Sequence, residues 1–496
     1  MKNKGKSGMT RRKFIGGSMA AAAGVSIVPR HVLGGVGYKA PSDTLNIAGV
    51  GVGGMGNSNL GRMKSENIVA LCDVDWKYAQ RTFEAFPNAK KFWDFREMFD
   101  KMGNDIDAVM VATADHTHAI VAAQAMTMGK HVYVQKPLTH SVYESRLLTK
   151  LAAKHKVATQ MGNQGASGNG VAETCELIWS GAIGEVTKVE SFTDRPIWPQ
   201  GLNTPERGDW VPETLNWDLF TGPAKMVPFN HIYHPWNWRG WWNYGTGALG
   251  DMACHILHPV FEGLKLGYPT KAQGSSSLLL NDCAPSSQAV KLTFPERAKV
   301  GKVKMPEVEV SWYDGGIKPM LPDNWPAGKN PNKQGGGTFF YGTKDILHVG
   351  CYGVQPELLS GNKPNIAETE RRVPNGSGGH EADWIRACKE SAENRVPSAS
   401  DFAEAGPFNE MVVMGVLGVR LQSLNKTLEW DGENMKFTNI SNNEQIKTVV
   451  KDGFEIHDGH PTFKKDWTEP VGAEDYANEL IKHTYRDGWS LPDMPA

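Results

Sequence analysis

The feature that most constrains this chain is a glycine run held between a strand and a helix. Leu45-Asn46-Ile47-Ala48-Gly49-Val50 is a short apolar run that leads straight into Gly51-Val52-Gly53-Gly54-Met55-Gly56. A G-x-G-x-x-G carries weight only in that setting. The first glycine permits the tight turn, the second lets the backbone approach a diphosphate, and the third lets helix and strand pack closely with the phosphates at the helix N-terminus. The next apolar run, Ile68 to Cys72, ends in Asp73, seventeen residues past Gly56. A carboxylate there accepts bonds from an adenosine ribose and repels a 2′-phosphate. The residues Gly51, Gly53, Gly54, Met55, Gly56 and Asp73 therefore predict a site for NAD in preference to NADP. Asp75 reads as a strand-end turn residue.

Two more runs, Asp107 to Ala112 and His131 to Val134, are continuously apolar rather than alternating. That is the mark of a parallel sheet covered on both faces. Between them Ala119 to Met128 reads as an alanine-rich crossover helix ended by Gly129. Residues 43–160 are thus expected to form a doubly wound domain whose ligands lie at the carboxyl ends of its strands. Further on, Ala289 to Phe294, Glu307 to Trp312 and Gly337 to Gly342 alternate with the two-residue period of half-buried strands. Residues 322–336 read as a surface loop, and 380–390 and 404–422 as helices, the second apolar enough to be buried.

At 496 residues the chain is too long for one hydrophobic core. Its 53 Lys and Arg against 54 Asp and Glu leave no global field for gripping nucleic acid. Basic residues crowd the start, Lys2 to Lys13, followed by fifteen small or apolar residues from Phe14 to Val28. This is the layout of a targeting peptide, too short for a membrane span of about 20 residues. Thr10-Arg11-Arg12-Lys13-Phe14-Ile15 resembles the twin-arginine signal. Residues 1–34 are therefore expected to be a signal peptide and the mature protein to be exported, periplasmic or beyond, with no membrane span. The six cysteines stand singly, without a CxxC pair, which reads as free buried thiols rather than a metal site.

Lys136 follows the His131 strand at its carboxyl end, beside the expected cofactor crevice, and Asp251 and His255 are spaced four apart, on one face of a helix. At that spacing His255 can act on a substrate hydroxyl with Asp251 orienting it, although such a pair is more often a structural hydrogen bond. Seven of the sixteen tryptophans fall within 45 residues, among them Trp238 and Trp241, with His231, His234 and Arg239 interleaved. Such a cluster can offer a platform for a sugar ring with polar groups at its rim; the alternative is an aromatic core under a long loop. Asn163 and Gln164 are candidates for bonding sugar hydroxyls. His231 and His234 lack a third ligand nearby in sequence, so no metal is expected.

With these residues the sequence resembles the family of glucose-fructose oxidoreductase, inositol dehydrogenase and their relatives (Gfo/Idh/MocA). The resemblance rests on the glycine run, Cys72-Asp73-Val74-Asp75, Ala112-Thr113-Ala114-Asp115-His116-Thr117-His118, Gly129-Lys130-His131-Val132-Tyr133-Val134-Gln135-Lys136-Pro137-Leu138, Ser180 to Val186, the Asp251/His255 segment and Tyr485-Arg486-Asp487-Gly488-Trp489. Asn237-Trp238-Arg239-Gly240-Trp241-Trp242 and the leader are similar to its exported bacterial branch. The resemblance implies an α/β protein: a Rossmann domain followed, over 161–496, by an α/β domain whose open, mainly antiparallel mixed sheet forms a homo-oligomer. It implies catalysis by Lys136, Asp251 and His255, and a cofactor-side loop at Thr113 and His118, with Lys136 also touching the cofactor. Two positions depart from the family pattern: Gln135 replaces a glutamate beside Lys136, and Thr113-Ala114 replaces Thr-Pro. The implied activity is NAD-dependent hydride transfer from a carbinol of a sugar, cyclitol or glycoside. Two alternatives keep the scaffold: glycoside cleavage by transient oxidation and elimination on a tightly held cofactor, and non-catalytic carbohydrate binding.

Overall fold

Six short strands make the first sheet: β1 (Asn46–Val50), β2 (Asn67–Cys72), β3 (Lys90–Phe92), β4 (Ala108–Val111), β5 (His131–Val134) and β6 (Thr159–Met161). They are parallel throughout, in the order β3-β2-β1-β4-β5-β6. The helices α1 (Gly54–Arg62), α2 (Trp76–Ala85), α3 (Phe95–Met102), α4 (Asp115–Thr127) and α5 (Val142–His155) alternate with the strands. The computed structural model describes residues 43–495 apart from 370, 372, 374 and 375. The leader with its arginine pair lies outside the described residues.

Register explains why distant residues meet. Val50 stands opposite both Cys72 and Val111, Val111 opposite Val134, and Val134 opposite Met161. The strands therefore end level, and the residues that follow them, Gly51, Asp73, Ala112, Gln135 and Gly162, form one edge. In an open parallel sheet that edge is where a ligand sits. The crossover helix α4 begins at Asp115, ahead of the expected Ala119, and the Asp115 carboxylate ties its start to Thr246, accepting the backbone N–H and hydroxyl of that residue at 3.1 and 2.8 Å. Gly129, at φ +74°, ends it.

The second sheet has nine strands: β7 (Val186–Thr193), β8 (Lys271–Ser276), β9 (Gln288–Phe294), β10 (Val308–Asp314), β11 (Gly336–Gly342), β12 (Ile346–Gly350), β13 (Glu357–Leu358), β14 (Leu428–Asp431) and β15 (Lys436–Phe437). Their order is β13-β12-β11-β7-β10-β9-β8-β14-β15. β7 and β10 run parallel and the other neighbours antiparallel. Along β10 alternate residues are buried, as expected of a sheet with one covered face. The fold is therefore the expected α/β one, a parallel sheet followed by a mixed, mainly antiparallel sheet.

Around these sheets lie α6 (Asn169–Trp179), α7 (Gly247–Ile256), α8 (His258–Gly263), α9 (His380–Lys389), α10 (Phe402–Arg420) and α11 (Ala473–Ile481). α10 is buried along most of its length, and this apolar helix binds the two halves together. Its Asn409 side-chain amide donates to Thr139 and Ser145 and its oxygen accepts the Leu138 N–H, while Arg146 pairs with Glu410 through two bonds of 2.8 Å. α9 returns to the first sheet, where the Glu381 carboxylate takes Asn59 at 2.8 Å and Arg62 at 3.1 Å. Residues after 160 are thus fastened to residues before it, and from Asn46 onward the chain packs as one unit. An exposed hairpin of β16 (Val449–His457) and β17 (His460–Trp467) sets Phe454 opposite Phe463. Among the described residues no helix is long and apolar enough to cross a membrane.

Candidate active site

The level strand ends open into a cleft of about 460 Å³. On one side its wall is main chain. Gly51 has φ +74°, and a side chain there would meet the Thr113 backbone nitrogen at 2.6 Å. A side chain at Gly56 would lie 2.0 Å from the Gly51 carbonyl oxygen. A Cβ at either position would strike main chain, so the tight turn depends on both being glycine. Val52 and Gly53 donate their N–H groups to one Asp73 oxygen at 2.7 and 3.1 Å, and Asp75 donates its N–H to the other at 2.9 Å. Burial pushes the Asp73 carboxyl up, against the pull of those three backbone donors. Asp73 thus braces the loop, and it also lines the cleft. Across the loop lies Tyr78, its ring 2.2 Å from where a Gly53 side chain would stand. No local sequence pattern marks Tyr78, which sits on α2.

The opposite wall is made of charged side chains. Lys136 Nζ donates to Asp251 Oδ1 at 2.8 Å and to the Asp251 carbonyl at 3.1 Å. Arg239 Nε donates to the same carboxylate oxygen at 3.2 Å. Burial alone would raise the Asp251 carboxyl, but Lys136 and Arg239 outweigh it and hold it well below the usual carboxylate range. Asp251 is therefore a fixed anion. This corrects the expected pairing of Asp251 with His255: four residues apart on α7, the two side chains share a face, yet the carboxylate has turned to the two cations. His255 is buried, with Nδ1 unpartnered. Burial, then the Lys136 charge, depresses its imidazole to about 3, so the ring is neutral. The Tyr352 ring packs on it at 4.6 Å between centroids. Tyr352 holds φ at +63° in a turn far along the chain, a placement that sequence reasoning missed.

Asp115 lies within electrostatic reach of Arg239, Asp251 and Lys136, and burial pushes its carboxyl up to about 7. The departure at Gln135 also finds a reason here. Its side-chain N–H donates to Asn59 Oδ1 at 2.9 Å, and the Asn59 amide bonds Glu381. A glutamate at 135 would bring a second buried carboxylate into that network.

The other predicted residues divide. Thr113, Gln164, His234, Trp238 and Arg239 line the cleft together with Lys136, Asp251 and His255. His234 is held by Asp75 Oδ2 at 2.8 Å, so Asp75 is more than a turn residue. Arg239 is stacked between Trp236 and Trp238, 4.0 and 4.3 Å from their ring centres. His118 does not face the cleft: its ring nitrogens lie 2.8 Å from the Pro137 carbonyl and 3.1 Å from that of Thr113. Burial lowers it to about 4, and it braces the loops that carry Thr113 and Lys136 instead of touching a cofactor. Trp241 belongs to an aromatic core with Trp217, Tyr233 and Tyr244, because its ring packs edge-on against Tyr233 at 4.8 Å. Asn163 is buried against the Cys254 carbonyl at 3.5 Å. Neither lines the cleft. His231 is exposed and bonded through its backbone N–H to Asp209. Among the described residues the one trio with metal-ligand spacing, His258, Glu262 and Glu404, lies off the cleft, with His258 paired to Glu404 at 3.0 Å.

The site fits a nicotinamide dinucleotide: a glycine turn at the level strand ends, Asp73 bridging that turn, and a cleft lined by residues from Met55 to His255. Comparison with known proteins agrees. Residues 45–163 match the NAD-binding Rossmann fold of the Gfo/Idh/MocA oxidoreductases, and 171–269 match the C-terminal α/β domain of that family. The chain is 26% identical over 148 residues to inositol 2-dehydrogenase of Salmonella paratyphi B, covering 29% of this chain and 44% of that protein. It is 24% identical over 231 residues to glycosyl hydrolase family 109 protein 2 of Shewanella sp. strain ANA-3, covering 41% of this chain and 50% of that one. The chain thus spans half or less of the length of these curated relatives. In fold it is similar to the WlbA dehydrogenase of Bordetella pertussis, crystallised with NADH and UDP-GlcNAcA, at TM-score 0.52 and 16% identity, covering 78% of this chain and 99% of that one.

Proposed function

We propose, from the chain's membership of the NAD-binding Gfo/Idh/MocA oxidoreductase family, that it oxidises or reduces a carbinol of a sugar, cyclitol or glycoside. The observation that carries this reading is the meeting, in one cleft, of the glycine cradle, the Lys136–Asp251 pair and a neutral buried His255. Bound NAD supplies the hydride acceptor or donor. The chain's residues do the rest. An ammonium has three donors; Asp251 takes two from Lys136, which fixes the head group and leaves one for a substrate oxygen. His255 lines the same cleft as a neutral imidazole, the form that can take the hydroxyl proton. Asp251 stays ionised and balances Lys136 and Arg239. The rings of Trp198, Trp236 and Trp238 border the cleft on the substrate side.

The proposal includes export, supported by the twin-arginine-like leader. It also includes a homo-oligomer through the second sheet, supported by the exposed side chains of β9 and β10, where Lys291 pairs with Glu309. A second reading, glycoside cleavage by oxidation and elimination within one site, is favoured by the 231-residue match to a glycosyl hydrolase family 109 protein. The experiment is mass spectrometry of the ligand released on denaturing the purified protein, followed by a panel of sugars, cyclitols and glycosides read by reduced-nicotinamide absorbance. NAD release with nicotinamide reduction supports the first reading. Cleavage of a glycoside without added NAD supports the second, and neither would remove both.

A further inference from the structure

A second cavity, of about 310 Å³, opens on the other side of His116 from the cleft, and His116 lines both. Its walls come from α5, α10, α11, the chain after α11 and three loop segments, 223–227, 242–243 and 281–282. The acids that line it are already served by the protein. Glu144 accepts from Tyr485 Oη at 2.6 Å and from the backbone N–H groups of His140 and Ser141 at 3.0 Å each. Glu479 accepts the Thr484 N–H and hydroxyl at 2.8 and 2.7 Å. Asp282 accepts from Asn281 Nδ2 at 2.6 Å and Thr204 Oγ1 at 2.7 Å.

The donors are not so served. Arg420, in the last turn of α10, has no ion pair with any described carboxylate. Its guanidinium makes one bond of 3.3 Å, to Tyr476 Oη, and lies 5.3 Å from the centre of the Trp242 ring. Trp242 is itself buried, and its indole N–H, like that of Trp76, has no acceptor, whereas those of Trp179, Trp198, Trp217 and Trp312 are each bonded. An unmatched buried donor costs about 1–3 kcal/mol, so a wall that keeps one beside an unpaired guanidinium lacks an acceptor. The volume suits a small molecule.

We propose that this cavity is a second ligand site, separate from the dinucleotide cleft, for a small molecule carrying an oxyanion, carboxylate or phosphate, which Arg420 and the Trp242 N–H receive. The test is calorimetric titration of NAD-saturated protein with inorganic phosphate and, in a parallel arm, with succinate. NAD keeps the diphosphate cradle filled, and the readout does not depend on turnover. The expected result is saturable one-site binding in at least one arm, which assigns the source of the oxyanion. Loss of a charged hydrogen bond should weaken it about tenfold or more in Arg420→Gln. Trp242→Phe should weaken it less, and Lys136→Ala should leave it unchanged. Absence of saturable binding in both arms would overturn the proposal, as would wild-type affinity in Arg420→Gln. Should Arg420→Gln fail to retain NAD, Trp242→Phe decides: wild-type affinity in that variant would overturn the proposal.

Discussion

The two walls of the cleft are built in opposite ways. The cofactor wall is main chain at the turn: its shape there comes from what Gly51, Gly53 and Gly56 lack, and the carboxylate at the turn, Asp73, is tied up by loop N–H groups. The substrate wall is side chain: Lys136, Arg239 and Asp251, from three separate segments, brace one another by charge. A main-chain wall tolerates many changes of residue type but not an added atom. A charged wall tolerates changes of size but not of charge. This difference predicts which substitutions damage binding and which damage turnover.

The largest expected effect is on the charged wall. His255→Asn keeps a polar group of similar reach but cannot accept a proton, and turnover on the best substrate should fall by about 10²- to 10⁴-fold with NAD content unchanged. A fall in NAD content instead would move His255 to the other wall. Next, Gly56→Ala places a Cβ against the Gly51 carbonyl. Overpacking of this kind costs about 1–3 kcal/mol, so NAD affinity should fall roughly ten- to a hundredfold, measured by titration, while turnover and substrate KM at saturating NAD stay near those of wild type. Arg239→Gln removes the stacked guanidinium but leaves Lys136 on Asp251; KM for substrate should rise by about tenfold with kcat changed far less. A matching loss in kcat would show that Arg239 sets the Lys136–Asp251 geometry.

Smaller effects test the supports behind each wall. Gln135→Glu puts a carboxylate into the Asn59–Glu381 network and should lower stability by about 1–3 kcal/mol, seen as a lower denaturation midpoint, without loss of NAD. The His118 brace gives a pH signature. Its folded value, about 4, lies below the unfolded value near 6.5, so the unfolded chain binds the proton more readily. Its contribution is present above pH 6.5 and lost as the pH falls toward 4. Between those limits wild type should lose about 1.4 kcal/mol more per pH unit than His118→Asn. Parallel curves would mean that His118 is not a neutral brace.

The legible parts of the fold were those whose signal is local. β1, β2, β4 and β5 are continuous apolar runs and stand out; β3, Lys90-Lys91-Phe92, and β6, Thr159-Gln160-Met161, are three residues each and mostly polar, and only their neighbours make them strands. β8 has a single apolar side chain, the buried Ala272, and β16 and β17 pair with each other at the surface. In the site, Lys136 was legible from its place after a strand, and the glycines from their spacing. The partner of Asp251 was not, since a spacing of four puts two residues on one face without bringing them into contact. The tryptophans around Arg239 were legible as a cluster, since Trp236 and Trp238 are its chain neighbours, whereas Tyr78 and Tyr352 are set by packing between distant segments, which no window of sequence contains.

The central claim is that Lys136, held by Asp251, acts on a substrate oxygen beside the bound nicotinamide. The most direct measurement compares wild type and Lys136→Ala, each with its NAD content determined, on the best substrate of the sugar panel. Full NAD content with turnover reduced at least a hundredfold, as expected for loss of a catalytic proton or charge donor, is the predicted result. Undiminished turnover by Lys136→Ala would contradict the account.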